Sequence, residues 1–116
     1  MINIISSSRY KINRKKITKE LIEFLNKRGI SEDSNLNVIF VGRIKMKQIA
    51  TRYKKEPVAL PVLSFSYGQP EKEDVPIGEV FICYPQAILL AAEREKRVDD
   101  IISFLVQHGI ENILNN

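Results

Sequence analysis

Short, dense apolar runs alternate along this chain with segments whose apolar residues return every three or four positions, the pattern of strands interleaved with helices. Residues 2–7 (INIISS) are predicted as a short strand. Asn13 is placed to cap a helix running to about Arg28, because Ile17, Leu21, Phe24 and Leu25 recur at helical spacing. Gly29 supplies a left-handed position past the last turn, and Ile30 can fold back onto that turn. Residues 36–41 (LNVIFV) are apolar almost throughout, as in a strand covered on both faces. Gly42 precedes a second helix over about 43–54, with Met46, Ile49, Ala50 and Tyr53 as its inward stripe and Tyr53 half-buried at its end. A third strand is expected over 60–66 (LPVLSFS), with Pro61 at an edge or in the first residues. A polar connection over 68–76 leads to a fourth strand over 77–83 (IGEVFIC). Pro85 suits the first turn of a helix running through QAILLAAEREKR. Asp99 or Asp100 is expected to start the last helix, IISFLVQHGIENIL. The order βαβαββαα implies an α+β fold, a mixed four-stranded sheet with helices packed against it.

Length and composition narrow this further. A chain of 116 residues has room for one domain, taken here as 1–116. The single cysteine, Cys83, can form no internal disulfide, which favours a reducing compartment. No apolar stretch approaches a membrane span, and the N-terminus lacks the basic-then-apolar order of a signal peptide, so the cytoplasm is the expected location and no membrane partner is expected. The net charge of +4 conceals an asymmetry. Residues 1–55 carry 14 Lys and Arg against 4 Asp and Glu, a balance of +10, and residues 56–116 carry 4 against 10, a balance of −6. A one-sided basic half is the electrostatic footprint of a phosphate-binding surface. Lys45, Lys47, Arg52, Lys54 and Lys55 are the first candidates for contacting a nucleic acid, with Arg14, Lys15 and Lys16 behind them.

Candidate chemistry concentrates in residues 106–114 (VQHGIENIL). Two histidines four apart on a helix would begin a zinc site, but here the second position is Asn112, a neutral carboxamide. Glu111 is a conceivable second ligand beside His108. The competing reading puts His108 on the core face beside Ile101, Phe104 and Leu105. Ser64 has no histidine or lysine in a recognisable nucleophile motif, and Cys83 reads as a packed strand residue.

The order of pieces from Tyr10 to Asn112 resembles the YbeY family, single-strand-specific, metal-dependent endoribonucleases that mature ribosomal RNA. The resemblance rests on Tyr53-Lys54 followed by Leu60-Pro61-Val62-Leu63-Ser64-Phe65, on Ile77-Gly78-Glu79-Val80-Phe81-Ile82-Cys83-Tyr84-Pro85, on the helix Gln86–Arg97, and on His108-Gly109. It implies ribosomal RNA or the ribosome as partner and zinc as the family's cofactor. It also implies departures in chemistry. His108 matches the first of three metal-binding histidines, Asn112 stands at the second, and the third would fall beyond Asn116. Lys54 stands where the family has an arginine thought to assist at the phosphate, keeping the charge but not the bidentate geometry. A threonine–aspartate pair becomes Leu60-Pro61.

Three functions therefore compete. The first is an RNA-binding relative whose metal site is incomplete, with zinc absent or weakly held. The second is a working zinc endoribonuclease using His108 and further ligands. The third is a protein-interaction module that self-associates through apolar surface around Ile110, Ile113 and Leu114.

Overall fold

The computed structural model describes residues 1–31, 33–68 and 76–115. Its elements follow the expected order: β1 (Ile2–Ile5), α1 (Arg14–Lys27), β2 (Leu36–Val41), α2 (Arg43–Lys54), β3 (Val62–Ser66), β4 (Gly78–Cys83), α3 (Tyr84–Arg94) and α4 (Val98–Leu114). The strands form one sheet in the order β1-β2-β4-β3, with β1, β2 and β4 parallel and β3 antiparallel on the edge. A mixed α+β sheet is thus present. Most of the connection expected over 68–76 lies outside the described residues.

Successive strand residues point to opposite faces, and that alternation builds two cores. On one face Leu36, Val38, Phe40, Val80 and Ile82 pack against Ile17, Leu21 and Leu25 of α1, Ala87 and Ala91 of α3, and the buried side of α4. On the other face Leu63 and Cys83 meet Met46 and Ile49 of α2, flanked by Val41, Phe65 and Phe81. Burial pushes the Cys83 thiol up from its ordinary range.

Local chemistry explains the element ends. Asn13 accepts from the Lys16 N–H and caps α1. At the far end Gly29 takes φ +71°, while the Gly29 and Ile30 N–H groups donate to Asn26 and Leu25, closing a left-handed cap. Helix α2 ends at Lys55, itself left-handed at φ 56°.

Several boundaries differ from expectation. β1 stops at Ile5 instead of 7. β3 begins at Val62, and Pro61 stays outside the strand while its carbonyl accepts from the Cys83 N–H. Helix α3 ends at Arg94 because Glu95 turns left-handed. Helix α4 opens at Val98 on an Arg97 cap, so Asp99 and Asp100 sit in its first turn, where carboxylates suit the positive end of the helix dipole. Ile110 and Ile113 are buried in the main core, which removes the exposed apolar surface expected there. Among the described residues no helix is long and apolar enough to cross a membrane.

Candidate nucleic-acid interface

Two glycines fix how α4 lies on the sheet. A Cβ on Gly109 would stand 2.7 Å from a Val80 methyl, and one on Gly78 would stand 2.6 Å from the tip of Ile113. The helix therefore approaches β4 more closely than side chains on both partners would allow. Residues on the opposite arc of α4 face outward: Phe104, His108, Asn112 and Asn115 are all exposed. This overturns the reading of His108 as a core residue beside Ile101 and Leu105. Phe104 is also 53% exposed, with the Arg94 guanidinium over its ring at 5.8 Å.

The outward arc of α4 forms one wall of a cleft of about 310 Å³. His108, Asn112 and Asn115 stand on that wall, Val62, Leu63 and Ser64 of the edge strand form the floor, and Lys54 closes it from the end of α2. The structure thus brings His108 and Asn112 together with Lys54, which lies more than 50 positions earlier in the sequence. It also adds Ser64 and Asn115. Ser64 has no partner signalled in the sequence because its neighbour arrives from a helix 44 positions later. Among the described residues that line it, the hydrogen-bonding inventory is one imidazole, two carboxamides, one hydroxyl and one ammonium, without a carboxylate.

Glu111 is not part of this cleft. It forms an ion pair with Arg28, tying α4 to the end of α1, and so does not serve as a second ligand beside His108. A protein zinc site draws its ligands from Cys, His, Asp and Glu. Among the described residues no three such side chains come together, and the Lys54 ammonium would repel a dication in the cleft. The described residues do not fit zinc.

The basic residues singled out in the sequence do not gather in one place. Lys54 lines the cleft, while Lys45 and Arg52 line a second hollow on the other face of the sheet. Lys47 and Lys55 are exposed on and just beyond α2. Arg14 and Lys15 lie on the outer side of α1, where the Arg14 guanidinium donates to the Ile4 carbonyl. Lys16 donates to Asp100 at 2.8 Å and ties α1 to α4. Tyr53, expected to be half-buried, is 57% exposed and sets its ring edge-on to Phe65.

With this geometry in place, similarity to known proteins becomes informative. The sequence model of one protein family, described as Endoribonuclease YbeY, matches residues 3–114. A Phytoplasma australiense protein named Endoribonuclease YbeY is 36% identical over 69% of this chain, and the match spans 58% of that relative's length. A Dehalococcoides mccartyi protein of the same name is 27% identical over 97% of this chain and 78% of its own length. The solution structure of TM1509 from Thermotoga maritima superposes with a TM-score of 0.64 at 25% identity, covering 95% of this chain and 69% of that one.

Proposed function

Because the chain belongs to the YbeY endoribonuclease family, we propose that it serves ribosomal RNA processing by binding single-stranded RNA in the cleft between α4 and the edge strand. The observation that carries this reading is the meeting of Lys54 and His108 in one cleft whose other polar groups, among the described residues, are neutral. A phosphodiester needs a cation and several hydrogen-bond donors, and it is repelled by carboxylates. Lys54 supplies the charge, the Asn112 and Asn115 amides and the Ser64 hydroxyl supply neutral donors, and the His108 imidazole offers a further donor. The absence of a carboxylate among these lining residues suits an anion better than a cation. The cleft is open and sits at a sheet edge, so a strand with unstacked bases can enter where a duplex would meet β3.

In this reading the residues hold and orient a phosphate. Lys54 is a point charge on a flexible stem, so it grips a phosphate oxygen without the two-pronged clamp of an arginine. Zinc in the family would supply an activated water, and no step here depends on it, because the donor set of the cleft does not fit the ion. Binding without metal-dependent cleavage is the consequence.

The test is fluorescence anisotropy of a short labelled single-stranded RNA at low salt. The logarithm of the affinity is expected to fall linearly with the logarithm of salt concentration. Lys54→Ala is expected to weaken binding across sequences and to reduce the salt slope by about one. No binding at low salt, or an unchanged slope in the Lys54 variant, would sink the proposal.

A further inference from the structure

On the sheet face opposite α4, a hollow of about 620 Å³ lies between α2 and the strands β3 and β4. We propose that it takes the base of an unpaired guanosine nucleotide. Its apolar part is a chain of three rings in edge-to-face contact: Tyr53 to Phe65 at 5.3 Å, and Phe65 to Phe81 at 5.8 Å. None of the three is fully buried, so ring surface is available to a planar guest. Aromatic side chains on an open sheet are the usual platform for unstacked bases.

What distinguishes this hollow from a generic apolar dent is Glu79. It stands opposite Phe65 in the β3–β4 register and belongs to a polar ladder across the sheet. Asn3 donates to Asn37, Asn37 donates to one Glu79 oxygen at 3.1 Å, and the Tyr67 hydroxyl donates to the other at 2.6 Å. Both of these donors to the carboxylate are neutral, and they hold it in a fixed orientation on the hollow's wall. Each carboxylate oxygen can accept twice, so an acceptor position remains on both. Tyr67 stays a donor through the ordinary pH range, because burial first, and then the Glu79 hydrogen bond, pushes its phenol up to about 12.

Two acceptors side by side call for two donors side by side. Guanine alone among the four bases presents adjacent N–H groups on its pairing edge, at N1 and N2. Adenine and cytosine place an acceptor beside their donor there, and uracil sets its single N–H between two acceptors. Lys45 and Arg52 complete the match on the α2 side, with the Arg52 guanidinium over the Tyr53 ring at 5.3 Å and positioned to meet a phosphate. The hollow and the cleft share the edge strand, since Leu63 lines one and Phe65 the other, and the consecutive residues Tyr53 and Lys54 diverge into the two sites. This inference rests on the RNA-binding reading and deepens it by naming a preferred nucleotide across the edge strand from the cleft.

The experiment is a titration of the 15N-labelled protein with guanosine 5′-monophosphate and, separately, adenosine 5′-monophosphate, followed by amide resonances. The guanine nucleotide is expected to bind about tenfold more tightly, the worth of one good bidentate pair, with shifts centred on Phe65, Glu79 and Phe81. Glu79→Gln should bring the two nucleotides to similar affinity. Arg52→Ala, at an exposed position, should erase the preference for the monophosphate over guanosine while leaving base choice intact. Equal affinity for both nucleotides, no saturable binding of either, or shifts confined to the surroundings of His108 would each overturn the proposal. A chain that binds single-stranded RNA at low salt yet treats the two nucleotides alike would lose this assignment and keep that of the cleft.

Discussion

Asp100 shows how a single surface pair reports on the docking of two helices. Its carboxylate accepts from Lys16 across the α1–α4 boundary, and that hydrogen bond, followed by the charge of the same ammonium, holds its carboxyl below the usual range. A depressed acid contributes stability that is present above the unfolded value, about 3.9, and is lost as pH falls through the folded value. Asp100→Asn should therefore be less stable than the parent at neutral pH, and the difference should vanish once the pH falls below the depressed folded value. Urea denaturation across this range checks it, and a difference that persisted unchanged at the acid end would show that the pair is not its source. The same contact engages the Lys16 ammonium within the fold. His108, two turns further along α4, is exposed and so is open to a ligand.

At the scale of elements, α4 decides where the cleft stands, and it was the hardest element to orient from sequence. Its buried arc is wide, taking in Ile101, Ile102, Leu105, Val106, Gly109, Ile110 and Ile113, because it packs on α1, α3, β3 and β4 together. With so many apolar positions, Phe104 reads as one more of them and draws His108 into the expected core. The exposed arc is legible only once Gly109 is seen against Val80. By contrast, the cap at Asn13, the turn at Gly29 and the central strand Leu36–Val41 were legible, since each is set by local residues. The hollows were not, because β4 inserts between β2 and β3 and brings distant residues together. Gly109→Ala tests the close approach. The clash with fully buried Val80 costs about 1–3 kcal/mol, against up to about 1 kcal/mol returned as helix propensity. The expected net effect is a lower urea midpoint together with weaker RNA binding, as His108 shifts away from β3. A midpoint equal to or above the parent's would show that the contact is not limiting.

Across the whole molecule, the charge asymmetry of the sequence becomes a division of labour. The basic first half supplies α2, whose Lys45, Arg52 and Lys54 serve the two hollows on either side of the edge strand. The acidic second half supplies the counter-charges that fasten α1 to α4 through Asp100 and Glu111. Family membership accounts for the shared fold, and Lys54 and Asn112, which stand where the resemblance expects an arginine and a histidine, both line the cleft. In the proposed reading this cleft holds RNA by itself, without a zinc ion. The most direct measurement is the affinity for a labelled single-stranded RNA at low salt, taken once with excess chelator and once with added zinc. Equal affinity is expected in both, weakened alike by Lys54→Ala. Binding that disappears in chelator and returns with zinc would contradict it, and would mean that the ion is held by ligands outside the set gathered around His108.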